Sequence, residues 1–351
     1  MPQRSTKRGT TKNDNVIEVR GLVRCYGEFT AVDNVDLDVG RGEIYGFLGP
    51  NGAGKTTTIS MLTTLLKPTS GTATIDGHDI VEEQAAVRRA IGMVFQEQSI
   101  DEKLTARENL DFHAVLYGVP RRERKKRAAE VLQTVDLEDR ADQKIEEFSG
   151  GMKRRLEIAR GLLHTPRVLF LDEPTQGLDP QTRNSIWEHL LKLREESDVT
   201  VFMTTHYMDE AEYCDRIAIM DGGKVVEEGA PEDLKGRVGS DVVSVTPVDE
   251  SAATQLRSFA EDKGVTVRGG EDGYMELYFE VENGTRFVPR LLGELPATVE
   301  AVSVRRPTLD DVFLNLTGRS LRDPGAGPEE AGEPSGGQSS GTRTSGSGAR
   351  R

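Results

Sequence analysis

Apolar and polar positions alternate along the first stretch of the chain. "VIEVRGLVRCYG" and "FTAVDNVDLDVG" place an apolar residue at nearly every second position, which predicts two half-buried strands joined by a turn. "GEIYGFLGP" reads as a short buried strand ending in glycine, and "GKTTTISMLTTLL" continues it as a helix. "GTATIDG" and "IGMVFQ" predict further strands. From Ser99 to about Glu147 the period changes: "TARENLDFHAVLYGV" and "RKKRAAEVLQTVDL" carry apolar residues at spacings of three and four, so this segment reads as helical. Strand character returns in "RVLFLDEP" and "VTVFMTTH", separated by the amphipathic "QTRNSIWEHLLKLREES", in which Trp187 shares the apolar face with Leu190 and Leu191. "RIAIMDGGKVVEEG" predicts a last pair of strands near Gly229.

A smaller unit follows at about Lys235. "DVVSVTP", "YMELYFEV" and "VEAVSVRRP" read as strands, and "ESAATQLRSFAEDKG", "TRFVPRLLGEL" and "TLDDVFLNLTG" as helices. It carries no cluster of chemistry-bearing residues, and there is no internal repeat. A length of 351 residues suits two domains with tails. Residues 1–15 and 322–351 are rich in Gly, Ser, Pro and charge. They bury too little apolar surface to offset the entropy of ordering, so both tails are expected to be disordered.

Composition excludes several classes. No apolar run nears the roughly 20 residues of a membrane-crossing helix, and the polar start "MPQRSTKRGTTKNDN" is no secretory signal. The expectation is a cytoplasmic chain that needs another protein to hold it at a membrane. A net charge of −14 argues against nucleic acid as a partner. The basic run Arg121–Arg127 reads as a solvated helix face. Cys25 and Cys214 lie far apart and form neither a disulfide framework nor a zinc pattern.

The chemistry begins at "GPNGAGKT", which fits G-x-x-x-x-G-K-[ST] from Gly49 to Thr56, between a strand and a helix. Bare backbone serves one purpose there. N–H groups must wrap an anion, and Cβ atoms would obstruct them. Gly49, Pro50, Asn51, Gly52, Ala53, Gly54, Lys55, Thr56 and Thr57 therefore form a candidate phosphate cradle, with the following helix dipole aimed at the same point. Lys55 supplies a charge for the terminal phosphates, and Thr56 a hydroxyl for Mg²⁺. "RVLFLDEPTQGLDP" sets Asp172 and Glu173 at the end of an apolar strand. Asp172 suits the Mg²⁺ shell, and Glu173 is placed to orient or deprotonate an attacking water.

With both motifs present, "FSGGM" at Phe148–Met152, running into "KRRLEIARGLL", resembles the LSGGQ signature of the nucleotide-binding subunits of ABC transporters. The resemblance covers about residues 16–235. It implies an α/β fold of the P-loop NTPase type, an ABC nucleotide-binding domain whose RecA-like core carries an antiparallel β subdomain and a helical subdomain at about 99–147. A small C-terminal α+β domain would occupy 236–321. It further implies that Ser149, Gly150 and Gly151 touch the γ-phosphate held by an opposite subunit. Met152 replaces the usual glutamine and is given no polar contact. Tyr26 stands where an aromatic residue stacks on adenine. Gln96 stands where a glutamine reaches Mg²⁺ and the attacking water and senses the membrane partner. Asp179 lies in a loop that crosses the dimer, and His206 matches the histidine at the γ-phosphate. His78, His113, His164 and His189 have no such context.

Finally, "RRPTLDDVFLNLTG" resembles the ending of drug-efflux ATP-binding subunits of the daunorubicin-resistance type, which pair with a separate polytopic permease. The implied protein is a homodimer closing on two MgATP at the cytoplasmic face of the membrane to drive efflux of a drug or other hydrophobic compound. The alternatives are export of a lipid, polysaccharide precursor, ion or peptide by the same type of ATPase, an importer subunit, or an ABC ATPase acting on ribosomes or DNA.

Overall fold

The computed structural model describes residues 15–239, 241–269, 277–295 and 299–317. The two tails expected to be disordered, apart from Asn15, lie outside the described residues, as does the start of "YMELYFEV". The described residues form one compact unit.

β1 (Asn15–Tyr26) and β2 (Phe29–Gly40) form a long antiparallel hairpin in which Ile17 faces Val39, Val19 faces Leu37 and Leu22 faces Val35. β3 (Ile44–Leu48) leads through the glycine loop into α1 (Lys55–Leu62). The helix is shorter than its apolar pattern because Thr64 turns left-handed at φ 63°, and the amides of Leu65 and Leu66 both fold back to the Ser60 carbonyl. β4 (Ser70–Ile75) and β5 (His78–Asp79) complete a four-stranded sheet in the order β2-β1-β4-β5.

Next come α2 (Gln84–Ala90), β6 (Ile91–Val94), α3 (Ala106–Leu116), α4 (Arg121–Thr134), α5 (Gly150–Leu162), β7 (Val168–Asp172), α6 (Pro180–Glu196), β8 (Thr200–Thr205), α7 (Met208–Ala211), β9 (Arg216–Asp221) and β10 (Lys224–Gly229). The central sheet runs β10-β9-β3-β8-β7-β6, parallel except at its β9–β10 edge. Every residue of β3, β7 and β8 is buried, as expected of parallel strands covered on both faces. Alternation divides their side chains between two cores. Tyr45, Phe47, Phe170 and Phe202 pack toward the antiparallel sheet and α1. Ile44, Leu48, Leu169, Leu171, Val201 and Met203 pack toward the helices, where Trp187 and Leu190 of α6 join them.

Parallel register aligns the strand ends that matter. Leu48 sits beside Thr205, and Asp172 beside Thr204, so the loops after β3, β7 and β8 leave from one edge of the sheet. Open α/β sheets bind their ligands at that edge.

α8 (Pro231–Val238) leads to β11 (Asp241–Pro247), α9 (Glu250–Lys263), β12 (Thr266–Gly269), β13 (Leu277–Val281), α10 (Gly284–Glu294) and β14 (Val299–Arg305). Their sheet order, β12-β13-β11-β14, makes this βαββαβ unit ferredoxin-like, with its own core around Val243, Val245, Leu256, Phe279 and Leu291. The last helix, α11 (Leu309–Thr317), does not join that core. Its Leu309, Val312 and Phe313 pack with Leu234 of α8 into the helix-side core of the larger domain. β12, the short β5 and the helices α2, α7 and α8 were not legible in the apolar pattern.

Candidate functional site

The loop between β3 and α1 is built around positions where a side chain cannot fit. A Cβ on Gly49 would sit 2.2 Å from the Met220 carbonyl oxygen, and one on Gly54, at φ 107°, would lie 2.4 Å from that of Ala31. The loop is pinned from outside: the Gly49 amide donates to the Thr205 carbonyl at 3.2 Å, and the Gly223 amide to the Ala53 carbonyl at 3.0 Å. Lys55 is buried to 4% exposure. Its Nζ donates to the Gly49 and Pro50 carbonyls at 2.7 and 2.9 Å and lies 3.6 Å from Glu173 Oε1. Burial pulls its pKa down, while Glu173 and Asp172 partly restore it.

Tyr26, Phe29, Asn51, Gly52, Gly54, Lys55, Thr56, Thr57, Gln96 and Glu173 border one cleft of about 410 Å³. Tyr26 is 48% exposed at its rim, with the Arg24 guanidinium 4.6 Å over its ring. The aromatic face is thus held at the surface and not in the core. Gln96 donates to Gln176, a cleft residue that the sequence reading did not single out.

At the deep end, Asp172 Oδ1 accepts from Thr204 Oγ1 at 2.5 Å and from Thr56 Oγ1 at 3.3 Å. Glu173 occupies left-handed backbone at φ 44°, which is sparsely populated by residues other than glycine. Thr204 Oγ1 accepts its amide at 3.0 Å. Its Oε2 lies 3.2 Å from His206 Nδ1, an ion-pair distance without hydrogen-bond alignment, so both buried atoms remain without a hydrogen-bond partner. Burial alone would raise the Glu173 pKa, but His206 and Lys55 outweigh it and hold the carboxyl below its ordinary range. A carboxylate kept charged and with an unused oxygen can accept a hydrogen bond from a water and orient it.

The remaining sequence-selected residues form a second cluster that does not border the cleft. Ser149 caps α5, its hydroxyl accepting from the Met152 amide at 3.3 Å. Asp179 caps α6 in the same manner, accepting from the Thr182 amide at 3.0 Å and its hydroxyl at 2.6 Å. The two caps pack together. A Cβ on Gly151 would meet Thr182 Cγ2 at 2.3 Å, and one on Gly150 would lie 3.5 Å from Leu178. Glycine at 151 therefore keeps the start of α5 close to α6.

Arg154, one turn into α5, belongs to none of the motifs that mark the site in the sequence. It is 5% exposed and bonds the backbone on either side of Glu173. Its only sequence signal is a charged residue on the buried stripe of an amphipathic helix.

Comparison with known proteins agrees with this geometry. The family description "ABC transporter" matches residues 32–176. The linearmycin resistance ATP-binding protein LnrL of Bacillus subtilis is 42% identical over 88% of this chain and its own full length. The daunorubicin/doxorubicin resistance ATP-binding protein DrrA of Streptomyces peucetius is 42% identical over 92% of this chain and 98% of its own. The Nod factor export ATP-binding protein I of Cupriavidus metallidurans is 37% identical over 88% and 99%. Among solved structures, cbiO1 of Clostridium perfringens aligns with a TM-score of 0.60 at 28% identity, over 72% of this chain and 98% of its own. The dimeric ABC transporter cassette MJ0796 aligns at 0.55 and 34%, over 61% and 98%.

Proposed function

The chain belongs to the ABC transporter family as an ATP-binding subunit that hydrolyses ATP, and from that premise we propose that it is one half of a symmetric motor driving export through a separate membrane permease. Residues 16–235 form the ATPase cassette, β11 to β14 build an accessory domain, and α11 packs back on the cassette. The observation that carries this reading is the separation of two clusters, each incomplete alone. The cleft offers the glycine loop, Lys55, Thr56, Gln96 and Glu173, whereas the Ser149–Gly151 turn with Asp179 lies elsewhere. Two chains related by a twofold axis, each presenting its turn to the other's cleft, complete both sites.

In that arrangement Tyr26 stacks on the adenine, and the amides of Gly49–Thr57 with Lys55 hold the β- and γ-phosphates. Ser149, Gly150 and Gly151 of the second copy donate to the γ-phosphate. Glu173 takes the proton of the attacking water, His206 steadies the γ-phosphate and Gln96 orients the water. The Thr56 hydroxyl, Asp172 and the Gln96 side-chain oxygen are hard oxygen donors that include a single carboxylate, a set that suits Mg²⁺ bound mainly by water and phosphate. When bound, Mg²⁺ neutralises charge on the phosphates.

A groove of about 560 Å³ between α3 and the core supports docking of the permease. It presents Leu65, Phe95, Leu116 and Tyr117, and Phe95 immediately precedes Gln96. No helix among the described residues is long and apolar enough to cross a membrane; similarity to ATP-binding subunits of transporters supports a peripheral place at the cytoplasmic face. The drug-resistance relatives support a drug or other hydrophobic compound as cargo, and the Nod factor export relative supports a second reading in which a different molecule is exported. Affinity capture of the tagged chain from detergent-solubilised native membranes tests the assignment. A stoichiometric polytopic partner without its own ATPase is expected. Recovery with ribosomes or DNA and no membrane protein would overturn the transport reading.

A further inference from the structure

α5 carries three charged residues on its buried face, Arg154, Glu157 and Arg160, at 5%, 0% and 4% exposure. Burying charge is expensive unless every donor and acceptor is satisfied. At Arg154 that condition is met in full. A guanidinium has five N–H donors in a rigid planar fork. Nε donates to the Pro174 carbonyl at 2.5 Å, Nη1 to the Phe95 carbonyl at 2.6 Å and to Glu157 Oε2 at 2.9 Å. Nη2 donates to the carbonyls of Asp172 and Glu173 at 3.2 and 3.3 Å.

Four of those five acceptors are backbone oxygens, and their locations are informative. Three belong to consecutive residues centred on Glu173, whose left-handed backbone needs external support. The fourth belongs to the residue preceding Gln96. The rest of the buried ridge holds the far end of the Gln96 loop. Glu157 Oε1 accepts from the Ser99 amide at 2.8 Å, while Arg160 donates to the Ser99 carbonyl at 3.1 Å, to the Ser99 hydroxyl and to the Met93 carbonyl at 3.4 Å. The helix that begins at the Ser149–Gly151 turn is thereby fastened to both loops that would handle the attacking water.

We propose that Arg154 is a positioning residue for ATP hydrolysis, fixing Glu173 and Gln96 relative to each other and tying both to the helix that carries the signature turn. The inference rests on the proposed roles of Glu173 and Gln96. Arg154 touches neither nucleotide nor water; it acts through the backbone. Lysine at this position keeps the charge opposite Glu157 but has three donors in place of five and no planar fork. It cannot hold Phe95, Asp172, Glu173 and Pro174 together.

The test compares purified full-length wild type with Arg154→Lys, Arg154→Met and Arg155→Lys. The last variant alters the neighbouring arginine, which caps the Val135 and Asp136 carbonyls and meets neither loop. For each chain, the MgATP dissociation constant, kcat, KM and the melting temperature are measured. In Arg154→Lys the dissociation constant and KM are expected to stay within about threefold of wild type, while kcat falls about 100-fold, the scale of an ångström-sized misplacement of reacting groups. Arg155→Lys is expected to keep wild-type kcat even if it melts lower. An Arg154→Lys chain that turns over within twofold of wild type would overturn the positioning role. So would a loss of kcat in Arg155→Lys that matches its loss of stability to the same degree as in the Arg154 variants. If Arg154→Met does not fold, Arg154→Lys decides the question alone. Wild type that binds no MgATP would instead overturn the proposed function beneath this inference.

Discussion

At the scale of single residues, the glycine loop and Glu173 are the points where backbone geometry bears most directly on the chemistry. Amides that wrap an anion favour glycine, and at Gly49 and Gly54 the carbonyl oxygens of Met220 and Ala31 independently leave no room for a Cβ. Glu173 could be selected because an apolar strand ran directly into it, although its left-handed backbone could not be read from sequence. Its substitution is the most direct check. Glu173→Gln removes the proton acceptor but keeps shape and uncharged hydrogen bonding, so kcat is expected to fall at least about 100-fold. MgATP binding should persist, and the bound form should run as a dimer on size exclusion. Normal turnover would exclude Glu173 from proton transfer. A second residue-scale prediction concerns His113, whose pKa burial, aided by Arg160, lowers to about 4. Its native form is neutral, whereas the unfolded chain takes up a proton near pH 6.5. The stability this group contributes is therefore fully present above pH 6.5 and is lost as pH falls toward 4. Melting temperatures between pH 7 and 4.5 should drop more steeply for wild type than for His113→Gln, and parallel curves would refute the assignment.

Whole elements were legible to the extent that one period dominated them. β3, β7 and β8 are buried on both faces, so they appear as apolar runs between glycine and polar residues. α6 shows its core stripe through Trp187 and Leu190. β12, α7 and α8 are short, and their stability comes from pairing and packing with other elements, which no local period records. Arg154 escaped for the same reason, since four of its five acceptors are backbone carbonyls distant in sequence, at Phe95 and at Asp172–Pro174. Helix starts were better encoded. Thr105 caps α3, with Glu108 reaching back to the Thr105 amide at 2.9 Å and the Glu108 amide donating to Thr105 Oγ1 at 3.2 Å. Replacing Thr105 by Ala should destabilise this helix by about 1 kcal/mol. Amide exchange in the first turn of α3 should accelerate while α6, capped independently by Asp179, is unchanged. Equal acceleration in both helices would mean that the cap acts globally and not on its own element.

For the molecule as a whole, the sequence separated a larger α/β part from a smaller C-terminal one, but gave no sign that the chain returns. Leu309, Val312 and Phe313 of α11 lie against α8 and in the main core, so the segment resembling drug-efflux subunits is docked on the larger domain. The sequence also could not reveal by pattern alone that the glycine loop and the Ser149–Gly151 turn stand apart. That separation leads to a prediction about pairs of chains. Lys55→Ala disables the glycine loop and leaves the signature turn intact, whereas Ser149→Arg blocks the turn and leaves the loop intact. Each variant alone should be inactive, because both of its sites in a homodimer contain one damaged half. In a mixed dimer, the loop of the Ser149→Arg chain meets the turn of the Lys55→Ala chain, restoring one whole site. The other site then carries both lesions. Random pairing of an equal mixture should recover up to about a quarter of the wild-type rate per chain, the proportion set by twofold exchange of halves. Recovery should grow with total protein concentration and vanish on dilution as the dimers separate. A site completed within one chain would give no recovery at any ratio, since neither variant could supply the other's missing half.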